Sequence, residues 1–184
     1  ALVTKIGMAH SEFFPGGISE IAQAKAEILF HPSTKKAFLH AQTRQFKPFQ
    51  NAGMATHFYS LANDPFSSSS QTKLKITPKG FFLEGRAFTL PFQASHLVEN
   101  FIGAALVANE LGLSFERIIQ RARDLTLYKG RFEFQKVDGA LYVNDSYNAN
   151  PESVKAALQN LPKPQKGRKA ISSSLSSTLN PRRS

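Results

Sequence analysis

The sequence predicts an α/β fold with parallel and antiparallel β-structure, and three observations carry that prediction. A short β-branched segment ending at Gly7 precedes a helix with an apolar stripe, the opening of a parallel-strand unit. Residues 74–90 alternate apolar and polar around Pro78-Lys79-Gly80, the pattern of a hairpin or meander. Asp138-Gly139 separates two further β-like runs, a strong short-range hairpin signal, and helical segments lie between all of these.

Taken in order, Leu2-Val3-Thr4-Lys5-Ile6 reads as a buried strand stopped by Gly7. After the Pro15-Gly16-Gly17 break a helix is expected from about Ile18 to Phe30. Ser19 and Glu20 lie in its first turn, where the helix dipole favours them, and Pro32 ends it. Lys36–His40 and Thr56–Leu61 read as further strands, and Ser67–Ser70 is a loop. Leu74 with Ile76, Phe81–Glu84 and Arg86–Leu90 make up the alternating segment. An Ala-rich helix over His96–Leu111 stops at Gly112, a natural residue just past a helix end. Ser114 caps a second helix, with Ile118, Ile119, Ala122 and Leu125 on one face. Strands Arg131–Val137 and Ala140–Val143 flank the Asp-Gly turn. Asn150-Pro151 then opens a last helix carrying Val154, Ala157, Leu158 and Leu161 up to Pro162.

Composition narrows the function classes. The 184 residues are 41% hydrophobic, enough to bury a core, and sixteen phenylalanines make that core aromatic. No run of about 18 apolar residues exists to span a membrane as a helix. Ala1–Ile6 lacks the length and basic lead of a signal peptide and there is no initiator Met, so the chain is expected to begin inside a longer protein. The absence of cysteine excludes a disulfide framework and a thiolate metal site, which fits a cytosolic protein. Net charge is +10, but six basic residues and no acid lie in 163–184, leaving +4 over the rest. A basic tail touches polyanions without specificity, so charge alone does not make this a specific nucleic-acid binder.

Several residues are candidates for chemistry. On a helical wheel Lys25 falls near the middle of the stripe Ile18, Ile21, Ala22, Ile28 and Leu29. A lysine there either snorkels its stem past the core to water or is modified or catalytic, its charge removed or paired. His10 follows the strand end at Gly7 within three residues, where α/β sheets gather ligands, although a lone histidine also suits a structural role. Asp145 ends the last strand ahead of Ser146-Tyr147-Asn148-Ala149-Asn150, a turn rich in donors that equally suits an ordinary helix entry. Gly130-Arg131 precedes a strand. G-x-x-x-x-G-K-[ST], H-x-x-x-H spacing and a nucleophile elbow do not occur in these residues.

Four of these runs, in order across about 150 residues, carry a resemblance. Thr4-Lys5-Ile6-Gly7-Met8-Ala9-His10-Ser11-Glu12 is similar to a central-domain strand of the Mur ligases, which ends in a similarly placed histidine. Ile21-Ala22-Gln23-Ala24-Lys25-Ala26-Glu27-Ile28 resembles the Ala-Lys-x-Glu-Ile helix of that family, and Gly130-Arg131-Phe132-Glu133 its Gly-Arg motif. Asn144-Asp145-Ser146-Tyr147-Asn148-Ala149-Asn150-Pro151-Glu152-Ser153 resembles the signature of one member, the discriminating run of the four.

That resemblance implies a partial central ATPase domain, with a mixed sheet plus a small antiparallel part, followed by the start of a Rossmann-like C-terminal domain. Expected boundaries are 1–127 for the central ATP-binding ligase domain without its phosphate loop and 128–167 for the start of the C-terminal domain. Residues 168–184 are expected to be a disordered, out-of-frame tail. The implied enzyme is a cytoplasmic, monomeric ATP-dependent amide ligase of peptidoglycan synthesis with UDP-N-acetylmuramoyl-tripeptide and D-Ala-D-Ala as substrates. Its cofactors are ATP and Mg²⁺, since phosphoryl transfer rests on positioning and charge neutralisation. By the same resemblance His10 binds Mg²⁺, and Lys25 is carbamylated to give a hard oxygen ligand for that metal. Asn100 matches a position near the adenine, Arg131 one near the phosphates and Asp145 one near the ribose. The family's Gly-Arg-His-Asn reads Ala94-Ser95-His96-Leu97 here, which removes a nucleotide contact at Leu97. Rival readings are another Mur-type or folylpolyglutamate-type ligase and a non-enzymatic basic fragment that binds nucleic acid through its tail.

Overall fold

The computed structural model describes residues 1–8, 13–50, 53–146 and 151–162. His10, Asn150 and the basic segment 163–184, on which expectations above rest, lie outside the described residues.

Six strands form one sheet in the order β1-β2-β3-β4-β5-β6. β1 (Leu2–Val3), β2 (Lys36–His40), β3 (Ala55–Leu61) and β4 (Thr72–Thr77) are parallel, in a register set by Leu2↔Phe38, Phe38↔His57 and Tyr59↔Thr72. β5 (Gly80–Leu83) and β6 (Arg86–Phe88) complete it as the antiparallel meander that the alternation at 74–90 predicts. β7 (Glu133–Val137) and β8 (Ala140–Asn144) form a separate hairpin. Asp138 and Gly139 turn it with φ of 48° and 78°, the left-handed pair an Asp-Gly turn supplies.

Helices cover both faces of the parallel part, as a buried parallel sheet requires. On one face α3 (Ser95–Glu110) lays Val98, Phe101, Ile102, Ala105 and Leu106 over Phe38, Tyr59, Leu61, Leu74, Phe81, Leu83 and Phe88. α4 (Phe115–Ala122), capped by the Ser114 hydroxyl, joins this layer through Ala122. On the other face α1 (Ile18–Ala26) and α2 (Lys47–Gln50) pack Ile21, Ala22, Ala26 and Phe49 against Val3, Ala37, Leu39 and Phe58. α5 (Pro151–Asn160) returns to the start of α3, where Asn160 Oδ1 accepts from the Ser95 amide at 3.3 Å.

α3 approaches the sheet so closely that Gly103 has no room for a side chain. A Cβ there lies 2.7 Å from the Tyr59 hydroxyl and 2.8 Å from Leu2 Cδ1. Gly103→Ala is therefore expected to destabilise the fold by about 1–3 kcal/mol through overpacking. Tyr59 Oη is buried without a hydrogen-bond partner, so Tyr59→Phe removes part of the clash and leaves no polar group newly orphaned. The double variant should recover part of the loss in a urea melt, and equal losses in single and double variants would show that the ring is not the obstacle.

Four sequence expectations change. The helix expected to run to Phe30 becomes 3₁₀ at Glu27–Leu29, and the tighter winding turns Leu29 inward while Ile28 is 47% exposed. α4 ends at Ala122, so Leu125 leaves its stripe and is 41% exposed. β7 starts at Glu133 rather than Arg131 because Phe132 has φ 49°, outside the β region. Most consequentially, Lys25 is exposed rather than central to a buried face. Its side of α1 overhangs β1, the edge strand, and looks into a groove lined by Leu2, Val3, Thr4, Lys5, Lys25 and Ile28.

Candidate ligand site at the strand tips

Polar side chains collect at the carboxyl ends of β1, β2 and β3. Ile6, just past β1, is held by the Gln42 side chain, which accepts from its amide at 2.9 Å and donates to its carbonyl at 2.8 Å. Gln42 thereby continues the β1–β2 ladder with a side chain where the strand ends. Lys5 Nζ reaches across to Asp64 Oδ2 at 2.8 Å and to Glu99 Oε1 at 2.7 Å. Asp64 follows β3, Glu99 belongs to α3, and both carboxylates are buried.

His40, at the end of β2, is fully buried beside them. Its Nδ1 accepts from the Gln42 amide at 3.2 Å, so the neutral ring carries its proton on Nε2, which faces Asp64 Oδ2 at 3.9 Å. His40, Asp64 and Glu99 offer ligand atoms within 4.8 Å of one another, the spacing of a metal site. Two features argue otherwise: a metal needs a bare Nε2, and the cation between the carboxylates is already the Lys5 ammonium.

The electrostatics follow from this packing. Burial works to lower the Lys5 pKa, but Glu99 and Asp64 outweigh it and hold the ammonium above its ordinary value. Burial tends to raise Asp64, yet Lys5 and the Phe66 amide, which donates to Asp64 Oδ1 at 2.8 Å, bring it below the usual carboxylate value. Glu99 has no such backbone donor, and burial, only partly opposed by Lys5, raises it. His40 is pushed down to about 4 by burial and by the Lys5 charge, with Asp64 opposing.

A second polar group forms where the β7–β8 hairpin meets the first turn of α3. The His96 and Phe132 rings meet edge to face at 6.1 Å between centroids, and Phe132 meets Phe134 in the same way at 5.3 Å. Asp145 Oδ1 accepts from the Phe132 amide at 3.0 Å and so holds Phe132 in its left-handed conformation. With Gly130 at φ 76°, that displays Arg131 on a tight turn. His96 is lowered by burial and by the Arg131 charge, with Asp145 opposing, so both charges act on one imidazole. His96 Nδ1 is buried without a hydrogen-bond partner. Asn100 lies one turn along α3 from His96 and is exposed.

Of the sequence candidates, Arg131 and Asp145 are thus brought together, and Asn100 lies one helical turn from the imidazole they share. Lys25 lies in the groove along β1, joined to the rest through Lys5, which lines that groove and bonds Glu99, the neighbour of Asn100. Lys5, His40, Asp64 and Glu99 were not singled out from sequence. Glu99 carries a usable signal, since an acid directly after Val98 and three residues before Ile102 interrupts the apolar stripe of an Ala-rich helix.

A three-layer α/β domain with polar groups converging outside the carboxyl ends of its parallel strands is a ligand-binding domain of the open-sheet class. The profile of the Mur ligase middle domain matches residues 1–108, and the chain belongs to the Mur ligase family. It is 29% identical over 175 residues to the UDP-N-acetylmuramoyl-tripeptide–D-alanyl-D-alanine ligase of Rickettsia prowazekii, covering 88% of this chain and 38% of that protein. Against the ligase of the same name from Haemophilus influenzae it is 30% identical over 168 residues, covering 86% and 35%. A crystal structure of MurF from Acinetobacter baumannii superposes with a TM-score of 0.66 at 26% identity, covering 86% of this chain and 36% of that one. The chain therefore spans little more than a third of the length of the relatives it matches.

Proposed function

We propose that this chain is part of an ATP-dependent amide ligase of peptidoglycan synthesis that joins D-Ala-D-Ala to UDP-N-acetylmuramoyl-tripeptide through an acyl phosphate. The observation that carries this reading is the extent of the match to ligases of that name. An alignment covering 88% of the chain must run past residue 108, where the middle-domain match ends, and across the β7–β8 hairpin. In this reading residues 1–127 are the later part of the central ATP-binding domain and 128–167 the start of the C-terminal domain. The setting is the cytoplasm, and no helix among the described residues is long and apolar enough to cross a membrane.

The residues around His96 suit a nucleotide. The unpartnered Nδ1 is an orphaned polar atom at the hairpin–α3 junction, with Asp145 and Arg131 beside it. In this reading Asn100 faces the adenine, Asp145 the ribose and Arg131 the phosphates, where its planar fork matches phosphate oxygens. ATP, with Mg²⁺, supplies the phosphoryl group that activates the substrate carboxylate. His10 and Lys25 are the proposed Mg²⁺ ligands. As ammonium groups Lys25 and its groove neighbour Lys5 repel a cation, so the metal role requires Lys25 to be a carbamate, and its exposure leaves it open to CO₂.

The test is phosphate release by the protein expressed from its gene with the flanking coding sequence. Release should require ATP, Mg²⁺, UDP-N-acetylmuramoyl-tripeptide and D-Ala-D-Ala together, and release with glutamate in place of the dipeptide would favour a folylpolyglutamate-type ligase. The 184 residues by themselves contain no G-x-x-x-x-G-K-[ST] and are expected to give no ligation. Turnover by the purified chain would overturn that division of labour.

A further inference from the structure

The strand-tip cluster joins two stretches of chain that the ligase reading assigns to different parts of the ligand. β1 leads into the segment containing His10, and α3 carries His96 and Asn100. Leu2 packs near Gly103 farther along α3, and at the strand tip the polar link among the described residues is Lys5. Lys5 leaves the end of β1 and places its ammonium 2.7 Å from Glu99, whose neighbours along α3 include Asn100 and, one turn back, Ser95 and His96. The same ammonium is 2.8 Å from Asp64, itself fixed by the Phe66 amide, so the contact is anchored to the end of β3 as well.

We propose that Lys5, Asp64 and Glu99 form an ionic clamp that makes the tip of β1 and the first turns of α3 move as one unit. Lys5 and Glu99 are its positioning residues. The argument is geometric. β1 has only two residues in the ladder and lies at the edge of the sheet, so its tip has backbone support from one side, from Gln42. Ile6 then turns its side chain toward the α1 layer, away from α3. Among the described residues it is the Lys5 side chain that carries the tip across to the α3 layer. Both carboxylates are buried, so each depends on the ammonium for charge balance, and neither side can leave without exposing an unpaired group. The Lys5 side chain is 43% exposed, but its departure to water strips both buried acids of this counter-charge, so the contact holds closed more firmly than a surface ion pair.

The functional consequence rests on the ligase reading, but the clamp itself does not, and its test uses no nucleotide. Native-state amide hydrogen exchange of the chain is compared for the parent, Glu99→Gln and Lys5→Arg. Glu99→Gln keeps the volume and the Lys5–Asp64 pair while removing the charge on α3. Exchange should rise about tenfold or more in both 4–8 and 95–101, while β4–β6, over 72–88, stays as in the parent. Lys5→Arg retains a cation able to reach both acids and should stay near parent protection in both stretches. Faster exchange in only one stretch, a uniform rise that includes 72–88, no change in either, or loss of protection in Lys5→Arg equal to that in Glu99→Gln would each overturn the clamp. Should Glu99→Gln not fold, Lys5→Gln, which removes the ammonium from the same contact, is read in its place against the same four outcomes.

Discussion

Lys5→Met is expected to cost about 3 kcal/mol of stability, because it removes the cation that hydrogen-bonds two buried carboxylates. Breaking a buried ion pair from one side is far more damaging than its net contribution suggests, since the partner's desolvation is left uncompensated. The value lies at the low end of the usual range because the Lys5 side chain is 43% exposed and water reaches its end of the contact. With a urea m-value of about 2 kcal/mol per molar, the denaturation midpoint should fall by about 1.5 M. Adding Glu99→Gln to Lys5→Met should recover part of that loss, since one of the two orphaned charges is then gone. A Lys5→Met midpoint within about 0.3 M of the parent would mean that the two acids lose nothing with the ammonium gone and that these ion pairs do not stabilise the fold.

This cluster also shows where sequence reading reaches its limit. Periodicity located the strands Lys36–His40 and Thr56–Leu61, the meander at 72–88, the hairpin turn at Asp138-Gly139 and the extent of α3 to within a residue or two. Each is a local property: alternation, a residue suited to positive φ, or a cap is written in adjacent positions. The strand tips are different. Lys5, His40, Asp64 and Glu99 come from four separate elements, and nothing local to any one of them names the other three. Only the parallel order β1-β2-β3, with α3 laid over it, brings them together. Parallel order is set by long-range contacts that a pattern of single residues does not encode.

Lys25 fails for the complementary reason. The helical wheel correctly finds Ile21, Ala22 and Leu29 facing the core, but it assumes that the whole stripe is covered. α1 lies over the edge of the sheet, so the part of its stripe holding Lys25 and Ile28 looks past β1 into an open groove. The anomaly that drew attention to Lys25, a charge on an apolar face, therefore dissolves. The role proposed for Lys25 rests instead on its position beside β1 and Lys5. Arg131 and Asp145, by contrast, were singled out as a Gly-Arg run before a strand and an acid at a strand end. A Gly-Arg turn and an acid at a strand end are both devices for presenting or fixing backbone, and here Asp145 holds Phe132 while Gly130 and Phe132 take positive φ around Arg131.

Acid should loosen this fold from about pH 6.5 downward, and His40 is the main cause. Its ring is fully buried and neutral, faced by Lys5 from β1, Asp64 from the end of β3, Tyr59 from β3 and Glu99 from α3. Burial and the Lys5 charge bring its pKa from 6.5 down to about 4, with Asp64 opposing. An imidazole depressed on folding contributes stability that is intact above 6.5 and is lost as pH falls toward 4, because the unfolded chain takes up the proton first. At 1.36 kcal/mol per pH unit the loss over that window is about 3 kcal/mol. Asp64, depressed below 3.8, acts in the same sense but at lower pH. Glu99, raised above 4.5, acts in the opposite sense, its contribution falling as pH rises through that region, so the net slope is somewhat shallower than His40 alone would give. Urea melts at pH 7.5, 5.5 and 4 should show the decline, and His40→Asn, which keeps an acceptor for the Gln42 amide and cannot titrate, should remove most of it. A parent protein equally stable at pH 7.5 and pH 5, or a His40→Asn variant with the parent's slope, would mean that the buried imidazole is not what couples this fold to acid.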